Sequence, residues 1–519
     1  MIGHEMLSDD ILLDIFRQYL DATPRLWPIL THVCRRWRQV ILRSPLGLTL
    51  RLYCTHGTPV LRNLDCWPPV PLVINYGGSP MLDPPAPEDE DNIIAALKQS
   101  DRVSSIGLTL TNSLLGKLST ISEPFSELEE LVLLSQNKLR MTLPSDFRWG
   151  ERIRTLHVTG IAIPALPKLL SSSTGLVDLQ LHEIPMPEYF PPQTFASVLS
   201  EASHLRSLSL HFLSFPPRRN YVGLPPPDGH RIVLPALTCF KYRGTSKYLD
   251  IFVARIDAPR LGDIDITFFS QPTMDASQLG QFIERIGMNA ALSEAHIQTS
   301  IRAISISFKS SSPSARLQLQ ISCKQLDWQL SSIAQVCGQF SPFVSGVQRL
   351  VFNTNELSSE QDDVDDEQLL QLIRSFGGAR TLSIAGKFTT GTLCVLQLAD
   401  EEYTADTIIL PALSNLRVQE PVPLLHGPFW DAKRSLVTSQ GPSIHSVKRH
   451  AYEIVCSYCG DFCFTRGYIG LFQKHLSMEH PKVAQKDKLI SQSSSLTFLQ
   501  RNTLVNRHCS LRERSTLRL

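Results

Sequence analysis

Between residues 100 and 420 the chain repeats one spacing: an apolar residue, two others, an apolar residue, one other, an apolar residue. It is carried by Val103/Ile106/Leu108, Leu128/Leu131/Leu133, Ile153/Leu156/Val158, Leu176/Leu179/Leu181, Leu205/Leu208/Leu210, Leu237/Phe240/Tyr242 and Leu261/Ile264/Ile266. Weaker copies are Ile301/Ile304/Ile306, Val347/Leu350/Phe352, Ala379/Leu382/Ile384 and Leu413/Leu416/Val418. The first seven starts are separated by 25, 25, 23, 29, 32 and 24 residues. Each copy predicts a short strand, and helical periodicity in the gaps predicts helices over 194–202, 274–287 and 367–376. The first fifty residues follow a different rhythm. Leu12, Ile15, Phe16 and Tyr19 fall at i, i+3, i+4 and i+7, with Ser8 placed as N-cap and Asp9 and Asp10 at the positive end of the helix dipole. A second apolar group (Leu26, Trp27, Ile29, Leu30) leads to a third (Val33, Trp37, Val40, Ile41). Three helices this short bury little surface, so apolar residues remain outside unless a partner covers them.

The repeat spacing and its L-x-x-L-x-L core are the signature of leucine-rich repeats. A strand whose apolar residues cannot be buried alone stacks on its neighbours, so the expected fold is an α/β solenoid, a leucine-rich-repeat horseshoe, with helices on the outer layer. The Asn that commonly ends the motif is mostly absent, which makes these degenerate repeats. Proline runs at Trp67-Pro68-Pro69-Val70-Pro71 and Asp83-Pro84-Pro85-Ala86-Pro87, followed by Glu88-Asp89-Glu90-Asp91, predict a stiff spacer ahead of the repeats. A surface loop is expected over 215–228. The acidic run 360–367 lacks the glycine and ligand spacing of a calcium loop and reads as a solvated loop entering a helix.

The run His32-Val33-Cys34-Arg35-Arg36-Trp37-Arg38, together with Leu7, Leu12, Ile15 and Phe16, resembles an F-box, the adaptor-binding module of SCF-type ubiquitin ligases. Ser8 stands where that family usually has proline. The exit 44–52 and the phrase Ile256-Asp257-Ala258-Pro259-Arg260-Leu261 are similar to fungal (basidiomycete-type) F-box proteins with degenerate leucine-rich repeats. The resemblance covers about residues 1–420. It implies a non-catalytic substrate-recognition subunit: the F-box docks on a Skp-family adaptor of a cullin scaffold, and the repeats hold an unidentified substrate protein. The adaptor-binding residues it implies are Leu7, Leu12, Ile15, Phe16, Val33, Cys34 and Trp37.

Composition fits a globular chain of several domains: 519 residues, 42% hydrophobic and 19% charged. A formal net charge of +1 gives no chain-wide attraction to nucleic acid or anionic membrane. There is no run of 18 apolar residues, no signal-peptide pattern at the start and no Asn-x-Ser/Thr site, so no membrane partner is expected. Eleven cysteines, scattered mostly singly as at Cys239, Cys323 and Cys394, read as small core residues in a reducing cytoplasmic or nuclear compartment. Phosphate-loop, dinucleotide, nucleophile-elbow and zinc-protease motifs are absent, and His157, His182 and His211 read as dispersed strand residues. No enzyme activity and no required cofactor are expected.

After residue 428 the repeats stop, and 433–519 carries 14 Lys plus Arg against five Asp plus Glu. Within it Cys456, Cys459, His475 and His480 give the spacing C-x2-C-x15-H-x4-H, with Phe464 and Phe472 as a small core. This resembles a two-Cys, two-His zinc finger, a small ββα unit holding a structural zinc, although 12 intervening residues are commoner and Cys463 is a competing thiolate. One finger reads about three base pairs, so nucleic acid is not the expected partner. The alternative function is a nucleic-acid-associated or scaffold protein acting through that finger. The expected domains are an F-box at 1–52, a linker at 53–100, repeats at 101–425, the finger at 445–485 and a basic disordered tail at 486–519.

Overall fold

A computed structural model describes residues 7–45, 47–58, 60–64, 69–77, 86–121, 123–135, 141–144, 150–185, 190–213, 231–271, 273–288, 292–300, 302–310, 315–323, 326–354, 366–384, 410–418, 453–456, 462–465 and 509–512. The chain divides into two compact units, Met1–Leu292 with Ser307–Cys323, and Ser293–Ile306 with Lys324–Leu519.

The first unit opens with three helices, α1 (Asp9–Ala22), α2 (Trp27–Val33) and α3 (Arg35–Arg43). Ser8 caps α1, its hydroxyl accepting from the Ile11 amide at 3.4 Å, while Asp9 and Asp10 fill the first turn. Cys34 caps α3, its Sγ accepting from the Trp37 amide at 3.4 Å. Leu12, Phe16 and Leu20 of α1, Trp27 and Leu30 of α2, and Val40 and Ile41 of α3 are buried. The Phe16 ring meets Trp37 edge-on at 4.8 Å, a favoured quadrupole geometry. Arg36 clips α3 to the start of α1 by pairing with Asp9 at 2.8 Å and donating to the Leu7 carbonyl. Trp27 Nε1 donates to the Arg51 carbonyl at 2.7 Å and ties α2 to the chain where it enters the sheet.

That sheet has ten strands in this unit: β1 (Leu52–Cys54), β2 (Leu72–Tyr76), β3 (Val103–Leu110), β4 (Glu130–Ser135), β5 (Thr155–Thr159), β6 (Asp178–Ile184), β7 (Ser207–Phe212), β8 (Cys239–Gly244), β9 (Asp263–Phe269) and β10 (Arg316–Ser322). Neighbours in this order pair in parallel. The register aligns Ile106, Leu131, Leu156, Leu179, Leu208, Phe240, Ile264 and Leu317 in one row across eight strands. Leu108, Leu133, Val158, Leu181, Leu210, Tyr242, Ile266 and Leu319 form the next row. All the apolar positions of the seven regular copies are buried. Each such leucine removed from water contributes about 1.5–3 kcal/mol, which a lone strand could not collect. Helices Pro192–Val198 and Ser277–Arg285 occupy gaps where the periodicity places them. Thr111 and Thr245 stand where the repeat motif commonly carries Asn. Each instead caps the helix that follows, accepting from the Leu114 and Tyr248 amides. The fold is thus a leucine-rich-repeat-like array of parallel strands.

Residues 53–100 are not a linker. They supply most of β1, all of β2 and the helix Pro87–Leu97, and Cys54, Leu72, Ile74 and Tyr76 join the buried face. Pro71 keeps its carbonyl acceptor, which takes the Leu52 amide at 2.9 Å, so a proline at the strand start is compatible with pairing. The acidic cluster is the first turn of that helix rather than a spacer. Asp89 and Glu90 are buried, with Asp89 bonded to His56 at 2.9 Å and Glu90 accepting from Thr111 and Ser113. The copy assigned to Ile301/Ile304/Ile306 also differs. Ile301 lies outside the described residues, and Leu292–Ser300, Ala303–Ser310 and β10 follow one another with links of two and five residues. Links that short cannot carry the crossover a parallel repeat needs. The repeat-like partner of β9 is therefore β10, through Leu317, Leu319 and Ile321.

In the second unit Leu292–Ser300, Arg349–Thr354, Thr381–Ile384 and Asn415–Val418 pair in parallel in that order. Helix Leu326–Gln339 packs on Asp366–Arg374, which lies inside the predicted 367–376 window apart from its first residue. Glu453–Cys456 pairs antiparallel with Phe462–Thr465 on one side and Cys509–Arg512 on the other. The strand Cys509–Arg512 therefore lies inside 486–519, expected to be a basic disordered tail. The cysteine expectation changes as well. Cys239 and Cys323 are only partly buried and Cys394 lies outside the described residues, whereas Cys54 and Cys337 are the core thiols. Burial pushes those two up to about 11 and about 12, so both stay protonated.

Candidate functional site

The three N-terminal helices divide their apolar residues between two faces. Leu12 and Phe16 are each only 1% exposed and form the core of the module. Cys34 and Trp37 are half-buried, Cys34 acting as a cap, and Trp37 Nε1 is buried with no hydrogen-bond partner among the described residues. Leu7 is half-buried and its carbonyl is held by Arg36. Of the seven residues expected at an adaptor surface, only Ile15 at 45% and Val33 at 56% present large exposed apolar side chains. Ile11 and Tyr19 continue the exposed side of α1 at intervals of four, and Ile29 accompanies Val33 on α2. None of these three is among the expected adaptor-binding residues, because a helical stripe reports which residues share a face, but not which face the neighbouring helix takes.

A second site lies on the face of the sheet opposite the buried rows. The strands alternate buried and half-buried positions, so every second side chain shares that outer face. Register brings His157 of β5, His182 of β6 and His211 of β7 together, although 25 and 29 residues separate them in sequence. His182 stacks on His211 with centroids 4.1 Å apart and planes 8° apart, and meets His157 edge-on at 5.1 Å. Ser209 bridges them, 2.8 Å from His182 Nε2 and 3.4 Å from His211 Nε2. A register shift between Leu181 and Ile184 carries Glu183 at φ 50°, a left-handed conformation costly for a residue with a Cβ.

Charge is distributed unevenly on this face. Lys241 and Arg243 of β8 are exposed and lie beside His211, while Asp178, Asp263 and Asp265 lie on β6 and β9. Burial, then the neighbouring His211, His157 and Lys241, hold the His182 imidazole down at about 3. Burial, then Arg243 and Lys241, hold His211 at about 4. The ladder is neutral at pH 7 and offers imidazole nitrogens and a hydroxyl beside two cations, an arrangement suited to recognition.

For the finger, Cys456 ends strand Glu453–Cys456, which pairs antiparallel with Phe462–Thr465, while Cys459, His475 and His480 lie outside the described residues. Among the described residues no group of three or more His, Cys, Asp or Glu is arranged to hold a metal ion, and no helix is long and apolar enough to cross a membrane.

No family model matches the chain, and no curated protein does. Among solved structures it is similar to a crystal structure of a TLR13–ssRNA13 complex, at 14% identity and a TM-score of 0.28. The alignment covers 70% of this chain and 45% of that one, so the chain spans less than half the length of that neighbour. A likeness at that score carries no argument; the strand register and burial above define the fold.

Proposed function

We propose that this chain is a non-catalytic substrate-recognition subunit of an SCF-type cullin ubiquitin ligase. Its N-terminal helices would dock on a Skp-family adaptor, and the polar face of its sheet would hold a target protein. One observation carries the reading. Of the eleven large apolar side chains that are exposed among the described residues, seven (Ile11, Ile15, Tyr19, Leu26, Ile29, Val33 and Leu42) lie in the first 42 residues. Scattered exposed leucines need no explanation, but such a concentration on one small module is what a binding face looks like. Ile15 and Val33 belong both to these exposed residues and to the F-box resemblance, which supports a Skp-family adaptor as the partner. Holding a target close to a ubiquitin-loaded enzyme raises effective concentration and requires no active site on this chain.

The test is co-purification of the full chain with a recombinant Skp-family adaptor. The Ile15→Asp/Val33→Asp variant changes only exposed side chains and is expected to lose binding by roughly 30-fold or more, as for a hot-spot pair. Circular dichroism should be unchanged. Leu12→Ala/Phe16→Ala removes core instead and is expected to destabilise the module by several kcal/mol, about 2–5 for each residue. Adaptor binding retained by a folded Ile15→Asp/Val33→Asp variant would refute the assignment.

A further inference from the structure

A cavity of about 420 Å³ opens where the N-terminal helices meet the first strand of the sheet. It is lined by Arg25, His32, Arg38 and Arg51, with Trp27 and Tyr53 among its walls, and no carboxylate among the described residues lines it. The ion pairs of arginines among the described residues fall on Arg17, Arg36, Arg152, Arg285 and Arg349, and on none of these three. All three are solvent-exposed and, among the described residues, have no counter-charge, so together they give the opening a positive potential that favours an anion.

Two of the three guanidinium groups make contacts that position them without neutralising them. Arg25 lies over the Tyr53 ring at 5.1 Å, a cation–π contact that keeps the full positive charge. Arg38 uses Nε to donate to the Thr31 carbonyl at 2.9 Å, leaving its two terminal nitrogens free for a ligand. The Arg51 carbonyl accepts from Trp27 Nε1, which fixes the backbone at the base of the third arginine. The volume lies within the range of about 300–1,000 Å³ typical of small-molecule pockets. Guanidinium forks match phosphate oxygens in pairs, so three of them suit adjacent phosphate groups better than a single carboxylate.

We propose that this cavity binds a small molecule carrying two or more adjacent phosphate groups. The proposal rests on the cavity alone and is independent of adaptor docking.

Isothermal titration of the full chain at about 0.15 M salt, where weak exposed pairing is screened, tests it. Inorganic tripolyphosphate is the probe, with adenosine triphosphate to show whether a base adds affinity and sulfate as the single-anion control. One saturable site is expected for tripolyphosphate and none for sulfate. Arg25→Gln/Arg51→Gln alters exposed side chains only and is expected to weaken binding at least about tenfold, the typical effect of losing charge-assisted bonds. Arg38→Lys keeps the charge and loses the fork, so an intermediate loss is expected. Arg35→Gln/Arg43→Gln changes two arginines of α3 that do not line the cavity and should leave affinity unchanged. Tripolyphosphate should also raise the thermal midpoint of the native chain but not of the Arg25/Arg51 variant. The proposal is overturned by absence of saturable binding or by equal losses in the two double variants.

Discussion

His182 and His211 show how a single side chain takes its character from a neighbour distant in sequence. Each is held below the ordinary histidine value of 6.5, first by burial and then by nearby positive charge. The charged and titratable groups around them are His157 on β5, Asp178 on β6, Lys241 and Arg243 on β8, and Asp263 and Asp265 on β9. As pH falls below 6.5 the unfolded chain takes up protons that the folded ladder refuses. The stability present above 6.5 is therefore lost progressively as pH falls toward about 4. The urea midpoint is expected to drop between pH 7 and pH 5, and His182→Gln/His211→Gln should flatten that drop. An unchanged slope in the variant would show that the ladder does not titrate as its surroundings require. The same face shows why residue types alone were not enough. His157, His182 and His211 read as dispersed strand positions, and only pairing of β5, β6 and β7 makes them one cluster.

Elements in this fold brace their neighbours through polar groups as well as leucines. Asp250, in the helix Ser246–Val253, accepts the Leu279 amide at 3.0 Å and so caps Ser277–Arg285, the helix of the following repeat. Burial pushes its carboxyl up to about 6, ahead of the lowering effect of the backbone bonds. The sign is opposite to that of the histidines. An ionised buried carboxylate costs stability above about 6, and the cost is relieved as pH falls toward 3.8. Asp250→Asn keeps an acceptor for the cap but cannot titrate. Its urea midpoint is therefore expected to fall more steeply than that of the native chain between pH 7 and pH 5. A shallower fall would invert the assignment. Glu90 braces in the same way between the helix Pro87–Leu97 and Thr111, Ser113 and Lys117. Burial opposes its ionisation, but bonds from Ser113, Lys117 and Thr111 prevail and keep the carboxyl below its usual range. Glycine appears where backbones must touch. A Cβ on Gly150 would lie 1.9 Å from the Phe125 carbonyl oxygen, and one on Gly378 would lie 1.9 Å from that of Ser345.

At the scale of the whole chain the proposed division of labour is a docking module, a repeat array and a C-terminal finger. The finger gives its own prediction. The full chain is expected to carry about one zinc per molecule by atomic emission, and Cys456→Ser/Cys459→Ser should carry none. Zinc-free native protein, or equal zinc in the variant, would remove the finger from the account.

Local periodicity was enough to find most of the array. An apolar side chain at each repeated position has no stable place outside a stacked core, so Leu131, Leu156, Leu179 and Leu208 could be assigned to one row before any pairing was known. The Ser8 cap and the three N-terminal helices were legible for the same reason, since caps and stripes act within a few residues. Only the tertiary structure decided matters that depend on partners far along the chain. It turned the proline-rich 53–100 into two strands and two helices, because a prolyl carbonyl still pairs and β3 supplies an edge to pair with. It put Leu12 and Phe16 in the core and left Ile11, Ile15, Ile29 and Val33 outside, because the packing of α3 chooses which side of each helix is covered. It also gathered three histidines into a cluster and, around a cavity, three arginines with no ion pair among the described residues. Sequence determines which side chains a strand or helix presents together, and pairing over tens of residues determines what they meet.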